Sequence, residues 1–115
     1  MGLPIKRFIA ANNRNDVFFK YLTDGKFQPK PSVQTIANAM DVGNPSNFER
    51  IADLYAHSKS HICDDIKGYS YDDEIISETM RKCYMEEHYL LDPHGATAYK
   101  ALTENLNRNE YGIFL

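Results

Sequence analysis

Short stretches of this chain hold side chains able to bind or position a small molecule. Asp92-Pro93-His94 brings a carboxylate and an imidazole together at what reads as a helix start. Asn44 and Ser46 flank Pro45 in a turn, where an amide and a hydroxyl can line a cleft. Asn12, Asn13, Asn15 and Asp16 form a polar loop after an apolar run. Each group also has a plainer reading. Asp92 can be an N-cap beside a solvated His94, Asn44 and Ser46 can shape a turn, and asparagines at a strand end can satisfy loop backbone. Residue type and spacing by themselves favour the plainer readings. His57 and His61 stand four apart, followed by Asp65. On one continuous helix they would share a face and could bind a metal, but solvated polar residues at that spacing are far commoner. Cys63 and Cys83 lack metal-type spacing and read as small buried or half-buried residues. Asp72-Asp73-Glu74 reads as a solvated helix start. No Ser–His–Asp order, glycine-rich phosphate loop or Walker motif is present.

These groups need elements to hold them. Pro4 to Ala11 is mostly apolar and suits a strand buried on both faces of a parallel sheet. The asparagine loop then sits at the carboxyl end of that strand, where ligands bind in open α/β sheets. Asn15 or Asp16 can cap a helix through about Leu22, with Gly25 as its stop. Gly25 to Ser32 reads as an exposed loop. Val33 to Asp41 has no clear period, with extended backbone near Ala39 to Val42 as one option. Val42-Gly43-Asn44-Pro45 reads as a turn. Ser46 and Glu49 fit a capping box, and the helix they open is expected to reach about Ser58 along Phe48, Ile51, Ala52 and Tyr55. Ser60 to Lys67 reads as a short helix closed by Gly68. Acidic residues open the next helix, with Ile75, Ile76, Thr79, Met80 and Cys83 as its buried stripe and an end near Glu87. Tyr89 to Leu91 reads as a short strand. Asp92 is the N-cap and Pro93 the first residue of a helix reaching about Asn105. Tyr111 to Leu115 reads as a final strand. Alternating strands and helices predict an α/β fold with parallel pairing, in one partial domain over residues 1–115.

Composition narrows the classes. At 115 residues the chain can form a single modest core. A formal net charge of -3 argues against nucleic acid as a partner. No apolar run approaches the roughly 20 residues of a membrane-spanning helix, and no signal peptide is visible. Two cysteines imply a reduced, cytoplasmic setting more readily than a disulfide.

The segment Asn38 to Arg50, NAMDVGNPSNFER, resembles threonine synthases, pyridoxal-phosphate enzymes of fold type II. Gly2 to Asn13 with Asn15-Asp16, Asp92-Pro93-His94-Gly95-Ala96 and Glu110 to Leu115 are similar to further segments of that family, in the family's order. The resemblance implies part of the large cofactor domain. It implies an intact enzyme that converts O-phospho-L-homoserine and water to L-threonine and phosphate, with the pyridoxal ring as an electron sink. It places Asp92 and His94 beside the cofactor and makes Asn44, Ser46 and Asn12 candidate substrate-binding residues. In such enzymes the cofactor is held covalently on a lysine within a Phe/Lys/Asp segment. None of Lys6, Lys20, Lys26, Lys30, Lys59, Lys67, Lys82 or Lys100 lies in one. The phosphate-cupping loop would precede the chain, and the hydroxyl partner of the pyridine nitrogen would follow it. The expectation is therefore a fragment of the carboxyl-terminal half, inactive alone and without bound cofactor. Alternatives are a fragment of another fold type II lyase, such as a threonine or serine dehydratase, and a non-catalytic binding module. Exposed strand edges around Ile5–Ala11 and Tyr111–Leu115 would favour self-association.

Overall fold

A computed structural model describes residues 3–115. The chain folds as α/β, with a parallel pair of strands flanked by helices. Strand β1 is Phe8–Asn12 and strand β2 is Ile66–Ser70, in a register that pairs Phe8 with Ile66 and Asn12 with Ser70. Between them lie helices α1 (Val17–Asp24), α2 (Phe48–Leu54) and α3 (Lys59–Asp65), with a 3-10 turn at Asn38–Met40. Helices α4 (Asp73–Glu87) and α5 (Pro93–Asn105) follow.

The strand pair separates two cores. Ile9 and Ala11 of β1 and Tyr69 of β2 pack with Ile76, Cys83, Leu91, Ala96 and Ala101 of the α4–α5 side. Ile66 faces the other way, into Tyr21, Phe48, Ala52 and Ile62 from α1, α2 and α3. That is the period-two alternation of a strand. The second core is aromatic at its centre: Phe27 stacks on Phe48 at 3.8 Å between centroids, and Tyr21 meets Phe48 edge-on at 4.7 Å.

Strand β2 stands where the sequence predicts the end of a helix closed by Gly68. The glycine has a different job. A Cβ there would come within 2.7 Å of Leu22 Cδ1 and 3.4 Å of Phe19 Cα, so its absence lets α1 lie directly on the strand. The expected helix ends at Asp65 instead.

Other expectations also shift. Strand β1 begins at Phe8 rather than Pro4, and Phe8 is 50% exposed, so the strand is only half-buried. Asp16 occupies the N-cap position of α1 without a capping bond, its carboxylate being paired with Lys20 and Lys30. The Ser46–Glu49 box does not form. Asn47 already has helical backbone angles, and the Phe48 N–H is taken by the Pro45 carbonyl at 3.1 Å, so the turn does what the box would have done. Helix α2 ends at Leu54 because Ala56 and His57 adopt positive φ of 49° and 57°. Tyr89–Leu91 and Tyr111–Leu115 are not strands. Leu91 is buried, while Tyr111 and Ile113 are 103% and 88% exposed. No further strand lies beside them among the described residues to complete a ladder. Gly25 closes α1 at φ 83° and Asp92 accepts from Gly95 N–H at 2.7 Å with Pro93 in the first turn, both as the sequence predicts; the acidic start of α4 holds too, with Asp73 and Glu74 in its first turn, while Asp72 is its N-cap, accepting from Ile75 N–H.

Candidate functional site

The carboxyl end of β1 opens onto a cleft of about 190 Å³. Asn12, Asn13 and Asn15 line one side, Phe18 another, and Met40, Val42, Pro45, Asn47, Phe48 and Ile51 the remainder. Its walls are mainly apolar with carboxamides at one side, the make-up of a small-molecule cleft. Of the five candidate residues, Asn12 lines it directly. Ser46 sits between its lining residues Pro45 and Asn47, exposed, and Asn44 precedes Pro45, also exposed. Asp92 and His94 do not line it.

A buried polar knot shapes the cleft. Asn13 Nδ2 donates to Asp41 Oδ1 and Thr35 Oγ1, each at 2.8 Å, and to the Ala37 carbonyl at 3.2 Å. Asn15 Nδ2 donates to Asp41 Oδ1 at 3.0 Å and to the Val33 carbonyl, and its oxygen accepts from Val33 N–H. Thr35 gives both its N–H and its hydroxyl to Asp41. Burial opposes charge on Asp41, but the Thr35, Asn13 and Asn15 donors outweigh it and hold its carboxyl below the usual carboxylate range. Asn13 and Asn15 thus fix loop backbone, the plainer of the two readings. Asn12 does so in part, donating to the Ala10 and Tyr69 carbonyls. Asp41 and Thr35 were not singled out from the sequence. Both lie in the unpatterned stretch Val33 to Asp41, and only the folded chain brings Asp41 to asparagines 26 and 28 residues away.

Asp92 and His94 meet the same segment from the other side. Ala39 N–H donates to His94 Nε2 at 3.1 Å, and His94 Nδ1 faces Asp92 Oδ2 at 3.2 Å. The Gly95 N–H, with the His94 contact second, holds the Asp92 carboxyl below its usual range. The 3-10 turn therefore joins the Asp92–His94 corner to Met40, which lines the cleft, and to Asp41, which bonds the cleft's Asn13 and Asn15. Asn44 and Ser46 make no hydrogen bond to that corner.

His57 and His61 lie on either side of the break after α2. No group of three or more His, Cys, Asp or Glu side chains suited to a metal occurs among the described residues. Cys63 and Cys83 are free thiols. No helix among those residues is long and apolar enough to cross a membrane.

The fold belongs with enzymes that use pyridoxal phosphate: the chain is a member of the pyridoxal-phosphate dependent enzyme family, whose model matches residues 2–112. Within that family its relatives are threonine synthases. It is 44% identical to the threonine synthase of Escherichia coli strain K12 over 116 residues, covering 100% of this chain and 26% of that protein. Against the threonine synthase of Serratia marcescens the identity is 41%, with the same coverage. The crystal structure of the Escherichia coli enzyme superimposes with a TM-score of 0.88 over 98% of this chain and 26% of that one, at 43% identity. A pyridoxal-phosphate-bound threonine synthase from Brucella melitensis does so with a TM-score of 0.85 at 25% identity, over 93% of this chain and 28% of that one. The chain thus spans about a quarter of the length of the relatives it matches.

No lysine lines the cleft. Lys6 pairs with Glu110, Lys20 and Lys30 with Asp16, and Lys100 with Glu104, while Lys59 and Lys67 donate to the Thr23 and Cys63 carbonyls. The starts of α4 and α5 are likewise capped from within the chain. The first-turn N–H groups of Gly95 and Ala96 are taken by Asp92, and those of Ile75 and Ile76 by Asp72.

Proposed function

We propose that this chain is a segment of a threonine synthase, a lyase that turns O-phospho-L-homoserine and water into L-threonine and phosphate with pyridoxal phosphate. The supporting observation is the likeness to the Escherichia coli enzyme over 100% of this chain in sequence and 98% of it in fold. The segment supplies a flank of the pocket. Asn12, Asn44 and Ser46 face the substrate side; Asp92 and His94 border the cofactor. The polar atoms of Asp92 and His94 engage one another, Gly95 and Ala39, so on this reading they border the cofactor without donating to it. The covalent lysine and the phosphate cradle come from other sequence. Alone, the chain turns nothing over and develops no visible absorbance with added pyridoxal phosphate. The enzyme acts in the cytoplasm, and its partner is the small substrate.

An exchange tests the reading. This chain replaces the aligned residues of the Escherichia coli threonine synthase, and phosphate release from O-phospho-L-homoserine is followed. Release well above that of the cofactor-free protein supports it. A folded, cofactor-loaded hybrid that instead dehydrates threonine or serine would assign the segment to a dehydratase.

A further inference from the structure

Across 55 residues of sequence, one imidazole links the start of α5 to the turn that lines the cleft. Ala39 N–H is a donor, so His94 Nε2 must be the unprotonated nitrogen. The ring proton then sits on Nδ1, facing Asp92 Oδ2 at 3.2 Å. Asp92 is itself fixed, because its other oxygen caps α5 through Gly95 N–H. A carboxylate that selects the tautomer and aims the ring is a familiar way to place an imidazole. What this ring holds is backbone. Ala39 is the middle residue of the 3-10 turn, whose closing bonds run from Met40 N–H to the Ala37 carbonyl and from Asp41 N–H to the Asn38 carbonyl. The next two residues are Met40, which lines the cleft, and Asp41, which gathers Asn13, Asn15 and Thr35.

We propose that Asp92 and His94 are a positioning pair: neutral His94, oriented by Asp92, clasps the Ala39 N–H and thereby sets Met40 in the cleft wall and Asp41 against Asn13 and Asn15. Its consequence for turnover rests on the threonine synthase reading; the clasp itself does not. His94→Gln keeps an acceptor oxygen near the Nε2 position, whereas His94→Phe keeps a ring and loses the acceptor.

The direct test is nitrogen NMR of the 115-residue chain labelled with 15N. A through-hydrogen-bond coupling between Ala39 15N and His94 Nε2, with the proton on Nδ1, is expected. The Ala39 amide should lose about tenfold of its hydrogen-exchange protection in His94→Phe and keep most of it in His94→Gln. In the hybrid enzyme, His94→Phe should lower kcat/KM by about tenfold, with His94→Gln restoring most of it. A proton on Nε2, or Ala39 protection unchanged in the folded Phe variant, overturns the clasp. Should the coupling be present while the hybrid is inactive with O-phospho-L-homoserine, the clasp stands and the functional reading falls.

Discussion

Asn13 and Asp41 meet at 2.8 Å, a fully buried carboxamide donating to a carboxylate 28 residues further along. The contact joins the end of β1 to the turn that carries Met40, so the cleft keeps its shape only while the pair is made. Asn13→Ala would strip a partner from Thr35, Ala37 and Asp41 at once. A loss of about 2 kcal/mol in urea unfolding is expected. Asn12→Ala, which touches only the Ala10 and Tyr69 carbonyls from a half-buried position, should cost clearly less. Equal losses would show that the knot is not what holds the turn.

Gly43 is the point where the turn passes over Lys30. A Cβ there would lie 1.8 Å from the Lys30 carbonyl oxygen and 2.8 Å from Ser32 N, both backbone atoms. The Gly43 carbonyl also accepts from Lys30 N–H at 2.9 Å. Gly43→Ala must push the two backbone segments of this loop apart, at a cost of about 2 kcal/mol or more. Thermal unfolding reads the loss, and a wild-type melting temperature in the alanine variant would contradict the packing described.

Glu110 ties the chain's two ends. It accepts from Lys6 first, then from Asn107 N–H and Arg7, and its carboxyl is lowered to about 2. The folded value lies below the ordinary 4.5, so the stabilisation is fully present above about pH 4.5 and disappears as pH falls through about 2. Glu110→Gln should therefore melt lower than the parent protein at pH 6, with the gap closing between those two values. A gap that stays constant through that range would remove Glu110 from the account.

Both outer edges of the β1–β2 pair lack a strand partner among the described residues, and Leu3, Ile5 and Phe8 are exposed nearby. Bare edges template pairing with another chain. The isolated chain should associate with itself as its concentration rises, read by light scattering. A constant monomer mass at high concentration would count against this.

Much of this architecture is legible in the sequence where local chemistry decides it. The Asp-Pro start of α5, the acidic start of α4 and the glycine stop of α1 each act within one helical turn. Strand β2 is not legible, because Gly68 looks like a helix stop until Leu22 and Phe19 are seen packed over it. The apolar runs at Tyr89–Leu91 and Tyr111–Leu115 carry strand composition, but a strand exists only with a neighbour. For the site, residue types drew attention to Asn12, Asp92 and His94. Their meaning lies in contacts with Tyr69 and Ala39, 57 and 55 residues away, which no spacing rule reports.

The most direct test of the central claim follows the oxygen atom. The hybrid enzyme, loaded with pyridoxal phosphate, is supplied with O-phospho-L-homoserine in water enriched in 18O, and the amino-acid product is analysed by mass spectrometry. A segment of threonine synthase should yield L-threonine carrying the heavy oxygen in its hydroxyl, with one phosphate released per threonine. Phosphate release without labelled threonine, or a 2-oxo acid as the sole organic product, would contradict it.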